Sequence, residues 1–370
     1  MLYIILMRIK IQQFLFGKLY SWAICGQNLG RALIKQGHEV HFVSTDGVIE
    51  KFIPEDLKPY IRLTPEGKYD MQYSFTAPHN FPNYLQHGTG NRFGHWLYEF
   101  DYLPPGVIKY INNSCDKFIS ASSFFTDICF KNKINKNKLE TIPYGINWKE
   151  WREAEPLYPK KEGEVRWLVD FSQPHLRKGI SEVLECWGRA FTKSDNVLLV
   201  LKVRDKKPEM TFDVSFSDEW EKFKKKYPNH ASCKVIKEYL SSMRGLYKSC
   251  DGLFMLPKAE GFFLPALQFL ASGGIVITSN YGGQLDFLNE NNSILINGKM
   301  TRAPKEAQYW IPSTYSSWFS PDLDEAVEKL IYATKNIVLL REKFHGNLGK
   351  EFFDEYSWDN VARRITELCQ

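Results

Sequence analysis

The sequence predicts an α/β protein of two domains, each built on a parallel sheet. Three observations carry this. At 370 residues the chain exceeds what one ordinary hydrophobic core organises. Both halves open on apolar strands separated by an amphipathic helix: residues 8–16, 22–36 and 39–44 in the first, and 165–171, 180–191 and 196–203 in the second. Residues 251–278 read as strand, loop, helix, strand, which is one crossover of a parallel sheet.

Composition narrows the class. The chain is 44% apolar and 25% charged, as in ordinary globular proteins, and its 15% aromatic content suits cores and sugar clefts alike. A net charge of +5 is compatible with an anionic ligand or an anionic membrane surface. The lysine runs lack the interleaved aromatics of a nucleic-acid binder, so no nucleic-acid partner is expected. Seven scattered cysteines with no C-x-x-C spacing indicate neither a zinc site nor a disulfide framework, and a reducing, cytoplasmic setting fits them. No run reaches the ~20 apolar residues of a membrane span. The opening MLYIIL is short for a signal-peptide core, and MRIKIQQFLF alternates like a first strand, which leaves both Met1 and Met7 open as the start.

In the first half, the loop FGKLYSW after that strand lacks a G-x-G-x-x-G fingerprint, which disfavours a dinucleotide dehydrogenase. Only Gly17 and Ser21 remain there to approach a phosphate. Residues 46–91 read as irregular, followed by GHWLYEFDYLPP. Read from the residues alone, its Glu99 is a carboxylate at the start of a helix near Pro104-Pro105, and the nearby His79, His87 and His95 are loop histidines. Residues 117–121 form a strand, Ser122 an N-cap, and residues 123–130 a helix. KNKINKNK is a solvated basic loop or a docking point for anionic lipid. A strand at 139–142 leads into PYGIN, and residues 151–164 are the linker candidate.

In the second half, Arg177 and Lys178 in SQPHLRKG sit where a helix N-terminus faces the end of a strand, a suitable clamp for a diphosphate. Further strands are expected at 196–203 and 232–239, helices at 218–227 and 242–249, and the KFKKK run is a solvated face. In AEGFFLPALQFLASGG, Glu260 precedes Gly261, Pro265 suits a first helical turn, and Gly273-Gly274 end the helix. A second Gly turn, Gly282-Gly283, follows the next strand, and two anion-holding turns at one sheet edge suggest a diphosphate ligand. Residues 300–320 read as an irregular insert, and amphipathic helices follow to the C-terminus.

The stretch from Glu260 resembles the donor signature of GT-B glycosyltransferases, in particular glycosyltransferase family 4, which has a Glu, a Gly-Phe-Gly-Leu-Pro-like turn and a second Glu eight positions on. Gly261, Phe262, Leu264 and Pro265 match the turn, Lys178-Gly179 the family's Lys-Gly, and PYGIN its Pro-x-Gly-Val-Asp-like turn; Gln268 stands where the second Glu belongs, and Gln173 where an Arg is common. The resemblance implies a GT-B fold, two Rossmann-like domains with parallel sheets facing across a cleft. The expected domains are an N-terminal acceptor domain (1–152), a C-terminal nucleotide-sugar domain (163–345), and helices crossing back to the first (346–370).

It also implies a retaining hexosyltransferase-like reaction, from a UDP- or GDP-sugar to a glycan, lipid or protein-linked acceptor, with peripheral membrane contact as a further expectation. Glu260, Arg177 and Lys178 carry the chemistry, no metal or other cofactor being required. Gly261, Phe262, Phe263, Leu264, Gln268, Gly17, Ser172, Tyr239 and Leu240 bind the donor, and His95, Trp96 and Glu99 face the acceptor. Asp322-Leu-Asp324 spells the D-x-D of metal-dependent GT-A enzymes, but after Pro321 it reads as a helix cap. The alternatives are a non-catalytic nucleotide-sugar-binding protein on the same fold and, as a minor enzyme alternative, a sugar-nucleotide epimerase.

Overall fold

The computed structural model describes residues 6–13, 21–44, 53–65, 67–86, 90–171, 175–203, 214–308 and 315–370. Gly17, His87, Ser172 and Gln173 lie outside them. The chain forms two compact units. One comprises Met1–Tyr98, Tyr102–Ile146 and Asp354–Gln370, the other Glu99–Asp101 and Asn147–Phe353.

The first unit holds strands β1 (Arg8–Gln13), β2 (Glu39–Ser44), β3 (Ile61–Arg62), β4 (Met71–Phe75), β5 (Asn91–His95), β6 (Lys117–Ser120) and β7 (Leu139–Thr141), with helices α1 (Ser21–Lys35), α2 (Phe81–Tyr84), α3 (Pro105–Ser114) and α4 (Ser123–Lys131). All strand pairs are parallel, in the order β3-β2-β1-β4-β5-β6-β7. Helix α1 buries Ala23, Gly26, Leu29, Gly30 and Leu33, a spacing of three and four residues that lays one face on the sheet. A Cβ on Gly30 would lie 2.1 Å from the Phe42 ring, so glycine sets the helix–sheet distance there. Ser122 caps α4 as expected, its hydroxyl accepting from the Phe125 N–H.

Strand β4 falls inside the stretch expected to be irregular. Its MQYSF alternates polar and apolar residues, which reads as half-exposed, yet all five are buried. Burial of Gln72 is tolerated because its amide bonds both Gln86 O (2.9 Å) and Gln86 N (3.2 Å).

The second unit repeats the arrangement. Its strands are β8 (Val165–Phe171), β9 (Val197–Val203), β10 (Ser232–Ile236), β11 (Gly252–Phe254), β12 (Ile275–Ser279) and β13 (Ile294–Ile296), all parallel, in the order β10-β9-β8-β11-β12-β13. Near-continuous apolar runs in β9 and β12 are what strands covered on both faces require. Helices α5 (Trp148–Arg152), α6 (Ile180–Ala190), α7 (Phe216–Lys226), α8 (Met243–Lys248), α9 (Leu264–Ser272), α10 (Leu323–Lys335), α11 (Ile337–Gly346) and the first part of α12 (Lys350–Glu355) complete it. The last helix, α13 (Trp358–Glu367), packs on α1 in the first unit, where Lys35 pairs with Asp359 and Arg364 Nη2 donates to Thr141 O at 2.7 Å. Both units are Rossmann-like.

Two further stretches differ from expectation. The insert at 300–320 carries an antiparallel pair, β14 (Gly298–Arg302) and β15 (Ser317–Pro321). Residues 151–164 are not a loose linker: Trp151 packs edge-on against Tyr247 at 5.1 Å, and Leu157 N and Tyr158 N donate to Gly245 O (2.9 Å) and Ser249 Oγ (3.0 Å). Among the described residues no helix is long and apolar enough to cross a membrane.

The D-x-D behaves as a cap. Asp322 Oδ1 accepts from the N–H groups of Asp324 (2.9 Å) and Glu325 (3.2 Å), while Asp324 is exposed and pairs with Arg189. Asp322→Ala should therefore cost about 1 kcal/mol in equilibrium urea unfolding, whereas Asp324→Ala should cost well under ~1 kcal/mol. Equal losses would contradict the assignment.

Candidate functional site

In an open parallel sheet the strands on either side of the topological switch point send their chains in opposite directions, leaving a crevice at their carboxyl ends. In the second unit that point lies between β8 and β11, and the loops following these two strands carry Arg177, Lys178 and Glu260.

After β8, residues Leu176–Lys178 form one 3-10 turn. His175 starts it, its Nδ1 accepting from Arg177 N at 3.1 Å while its carbonyl accepts from Lys178 N at 2.9 Å. That bond requires an unprotonated Nδ1. Burial, with Arg177 and Lys178 adding, holds the imidazole pKa at about 2, so the ring stays neutral and keeps accepting. Gly179 follows in the left-handed region (φ 72°), and a Cβ there would lie 2.1 Å from Leu256 O, so only glycine fits before α6.

After β11, the chain is stitched to that turn. Lys258 N donates to Arg177 O at 2.7 Å, and Arg177 Nη1 donates to Ala259 O at 3.1 Å. Glu260 comes next, its carbonyl accepting from Gly283 N at 2.9 Å. The Gly282-Gly283 turn, expected to hold an anion, spends that N–H on positioning Glu260. Gly282 adopts φ 103°, and a Cβ there would meet Glu260 O at 2.7 Å. Phe263 caps the start of α9 with φ 68°, a strained conformation for an aromatic residue, held by full burial of its side chain. Pro265 sits in the first turn of α9 and Gly273 (φ 94°) ends it, as expected.

The charges converge. Arg177 Nη1 lies 2.9 Å from Glu260 Oε1, Lys178 Nζ pairs with the same oxygen, and Arg177 Nη2 lies 2.6 Å from Glu99 Oε1. Arg177, Glu99 and Glu260 are buried. Burial alone would raise the Glu260 carboxyl, but the Arg177 and Lys178 charges outweigh it and hold it below the usual range. Burial pushes Glu99 up to about 7, Glu260 adding repulsion, against the pull of Arg177. Burial likewise lowers Lys178 despite Glu260.

The site residues expected from the sequence separate into groups. Arg177, Lys178, Glu260, Gly261, Phe262, Phe263 and Leu264 come together at the switch point, and Gln268 sits half-buried on α9, four residues beyond Leu264. Tyr239 is exposed and Leu240 half-buried, beyond the carboxyl end of edge strand β10, two strands from β8. His95 and Trp96 are core residues of the first unit. His95 Nδ1 meets Tyr73 Oη at 2.5 Å, burial holds its pKa at about 3, and Trp96 stacks on Tyr98 at 5.1 Å. Glu99 belongs to the second unit and not to the first; α3 begins at Pro105, so it is no helix-start carboxylate either.

The sequence reading missed a supporting group. Phe319 N on β15 donates to Lys258 O at 2.7 Å, Lys258 Nζ lies 4.5 Å over the Trp318 ring and 2.5 Å from Glu182, and Tyr281 stacks on Phe319 at 5.4 Å. Asp101 Oδ1 accepts from Ser317 N at 2.9 Å. These partners lie far apart in sequence and share no motif; the aromatic content of the insert was their only signal.

No family model matches the chain. A stretch of 128 residues, 34% of this chain, is 25% identical to an uncharacterized glycosyltransferase of Methanocaldococcus jannaschii and covers 27% of that protein's length. A glycosyltransferase from Rickettsia africae is similar in structure (TM-score 0.69, 14% identity, 98% of each chain). So is HepE of Anabaena in complex with UDP-glucose (TM-score 0.67, 12% identity, 98% of this chain and 99% of that one). WaaG, a glycosyltransferase involved in lipopolysaccharide biosynthesis, is similar with TM-score 0.62 at 13% identity, over 98% and 99% of the two chains. These likenesses show the fold, two parallel-sheet Rossmann-like domains as in GT-B glycosyltransferase structures.

Glu99 gives a pH signature. Its folded pKa of about 7 exceeds its ordinary 4.5, so the stability it contributes is complete below 4.5 and is lost as pH rises through 7. Glu260, held low, contributes in the opposite sense, losing its share only as pH falls through its depressed value. The stability difference between wild type and Glu99→Gln, measured by urea unfolding, should fall with pH between those two values. A flat difference would contradict the raised pKa.

Proposed function

We propose that this chain is a retaining glycosyltransferase of the family 4 type, moving a sugar from a UDP- or GDP-sugar to a glycan, lipid or protein-linked acceptor. The observation that carries this reading is the convergence of Arg177, Lys178 and Glu260 in one buried cluster at the switch point of the second sheet. The GT-B likeness, and HepE's complex with UDP-glucose, support the same reading.

Without ligand, the Glu260 carboxylate is the anion held by Arg177 and Lys178. A donor diphosphate would share or replace those contacts, with the N-terminus of α9 adding partial positive charge. Gly261 and Phe262 flank the phosphates, Glu260 orients the sugar, and the Gln268 amide bonds a ribose hydroxyl without charge. In the transfer, the acceptor oxygen bonds the anomeric carbon and the diphosphate departs with the electrons of the broken C–O bond. The acceptor proton passes to the departing phosphate oxygen. Arg177 and Lys178 stabilise the charge that develops on that oxygen, so in this reading no metal is needed. The setting is cytoplasmic or at a membrane surface.

Gln268, which replaces a charged residue of the family pattern, favours a second reading, a nucleotide-sugar-binding protein without transfer activity. Release of nucleotide on incubation with UDP- and GDP-sugars separates the two. Lys178→Ala should weaken nucleotide-diphosphate binding by ~2 kcal/mol or more; unchanged affinity by calorimetry would refute the phosphate role. Gln268→Glu should preserve or improve donor binding, and a large loss would exclude the ribose contact.

A further inference from the structure

Helix α9 starts at the donor cluster and ends, about 13 Å away, at the amino edge of the sheet, where β11 and β12 begin. A second group of basic side chains gathers there. Lys248 Nζ donates to Ser272 O (3.2 Å) and Arg152 O (2.9 Å), and His345 Nε2 meets Gly274 O at 3.0 Å. Arg341 Nη2 donates to Asp251 Oδ1 at 2.7 Å. The Arg152 guanidinium lies over the helix end, its Nη1 3.5 Å from where a Gly273 Cβ would be.

The negative charge within reach does not balance them. Asp251 is already shared by Lys160 (2.6 Å), Arg341 and the Arg166 N–H (2.8 Å), Glu155 acts on Lys248, and a helix C-terminus supplies about half a charge. Among the described residues Arg152 has no carboxylate partner, and its Nε, like the Nε of Arg341, is buried and unbonded. Burial lowers Arg152; it lowers Lys248 too, with Arg152 and Arg341 adding repulsion. Burial also brings His345 down to about 4, against the Gly274 carbonyl and with help from Arg152 and Arg341. The N–H groups of Gly273 and Gly274 and the Lys248 ammonium already satisfy the last carbonyls of α9, so Arg152 is not needed for that task.

We propose that Arg152, Lys248 and Arg341 form a binding site for a phosphate group, at the opposite edge of the second sheet from the donor cluster. Guanidinium N–H donors suit phosphate oxygens in geometry and charge, and among the described residues no carboxylate satisfies Arg152.

Thermal unfolding in inorganic phosphate, against chloride at equal ionic strength, tests this. Lys178→Ala serves as the parent, so that phosphate at the donor cluster does not contribute. Phosphate should raise the parent's Tm by a few degrees over chloride, and Arg152→Gln should abolish that rise. Without phosphate, Arg152→Gln should unfold at the parent's temperature or above it, since a like charge has been removed. No phosphate-specific rise, a rise that survives Arg152→Gln, or a lowered Tm of that variant without phosphate would each overturn the proposal. Co-sedimentation with phosphatidylglycerol but not phosphatidylcholine vesicles, lost in Arg152→Gln, would identify the phosphate as a lipid headgroup. A phosphate-specific rise with no sedimentation would identify it as a soluble phosphate.

Discussion

Burying charge is costly unless every charge finds a partner, and this constraint fixes the geometry around Arg177. Two cations and two carboxylates share one enclosed space, each satisfied only while the others stay in place. Removing any member would strand its partner, so the loops after β8 and β11 are held to one arrangement. The backbone bonds between Lys258 and Arg177, and between Gly283 and Glu260, lock the same arrangement from outside. For the donor diphosphate we propose, cations ordered in advance in this way would reduce the ordering cost of binding.

Backbone conformation is matched to this cluster. Gly179 and Gly282 stand where no side chain fits, both against carbonyls of the loop that carries Glu260. Phe263 tolerates its left-handed conformation because its ring is enclosed. The β14–β15 pair closes the far side through Phe319 and Trp318, so an apparently irregular insert buttresses the strand end that presents Glu260.

Much of this was legible in the sequence because the informative residues are local. Arg177-Lys178-Gly179 and the Glu260–Pro265 turn each occupy one strand–helix junction, and strand periodicity brings both junctions to one sheet edge. What was illegible depends on distant partners. Strand β4 looked irregular because the contacts that permit Gln72 to be buried come from Gln86, beyond the strand. Glu99 looked like a residue of the first unit because chain order places it there, whereas its charge is drawn to Arg177. His95 and Trp96 looked like cleft residues because histidine and tryptophan serve equally in binding and in packing, and here aromatic neighbours enclose them.

The tripeptide Glu99–Asp101 makes the two units inseparable by simple cutting. A fragment spanning only Asn147–Phe353 would leave Arg177 with half its ionic partners and Ser317 without its carboxylate acceptor. A fragment ending at Ile146 would lack the closing helix that covers α1. Each unit is drawn from separated stretches of the polypeptide, so no single cut recovers either one whole.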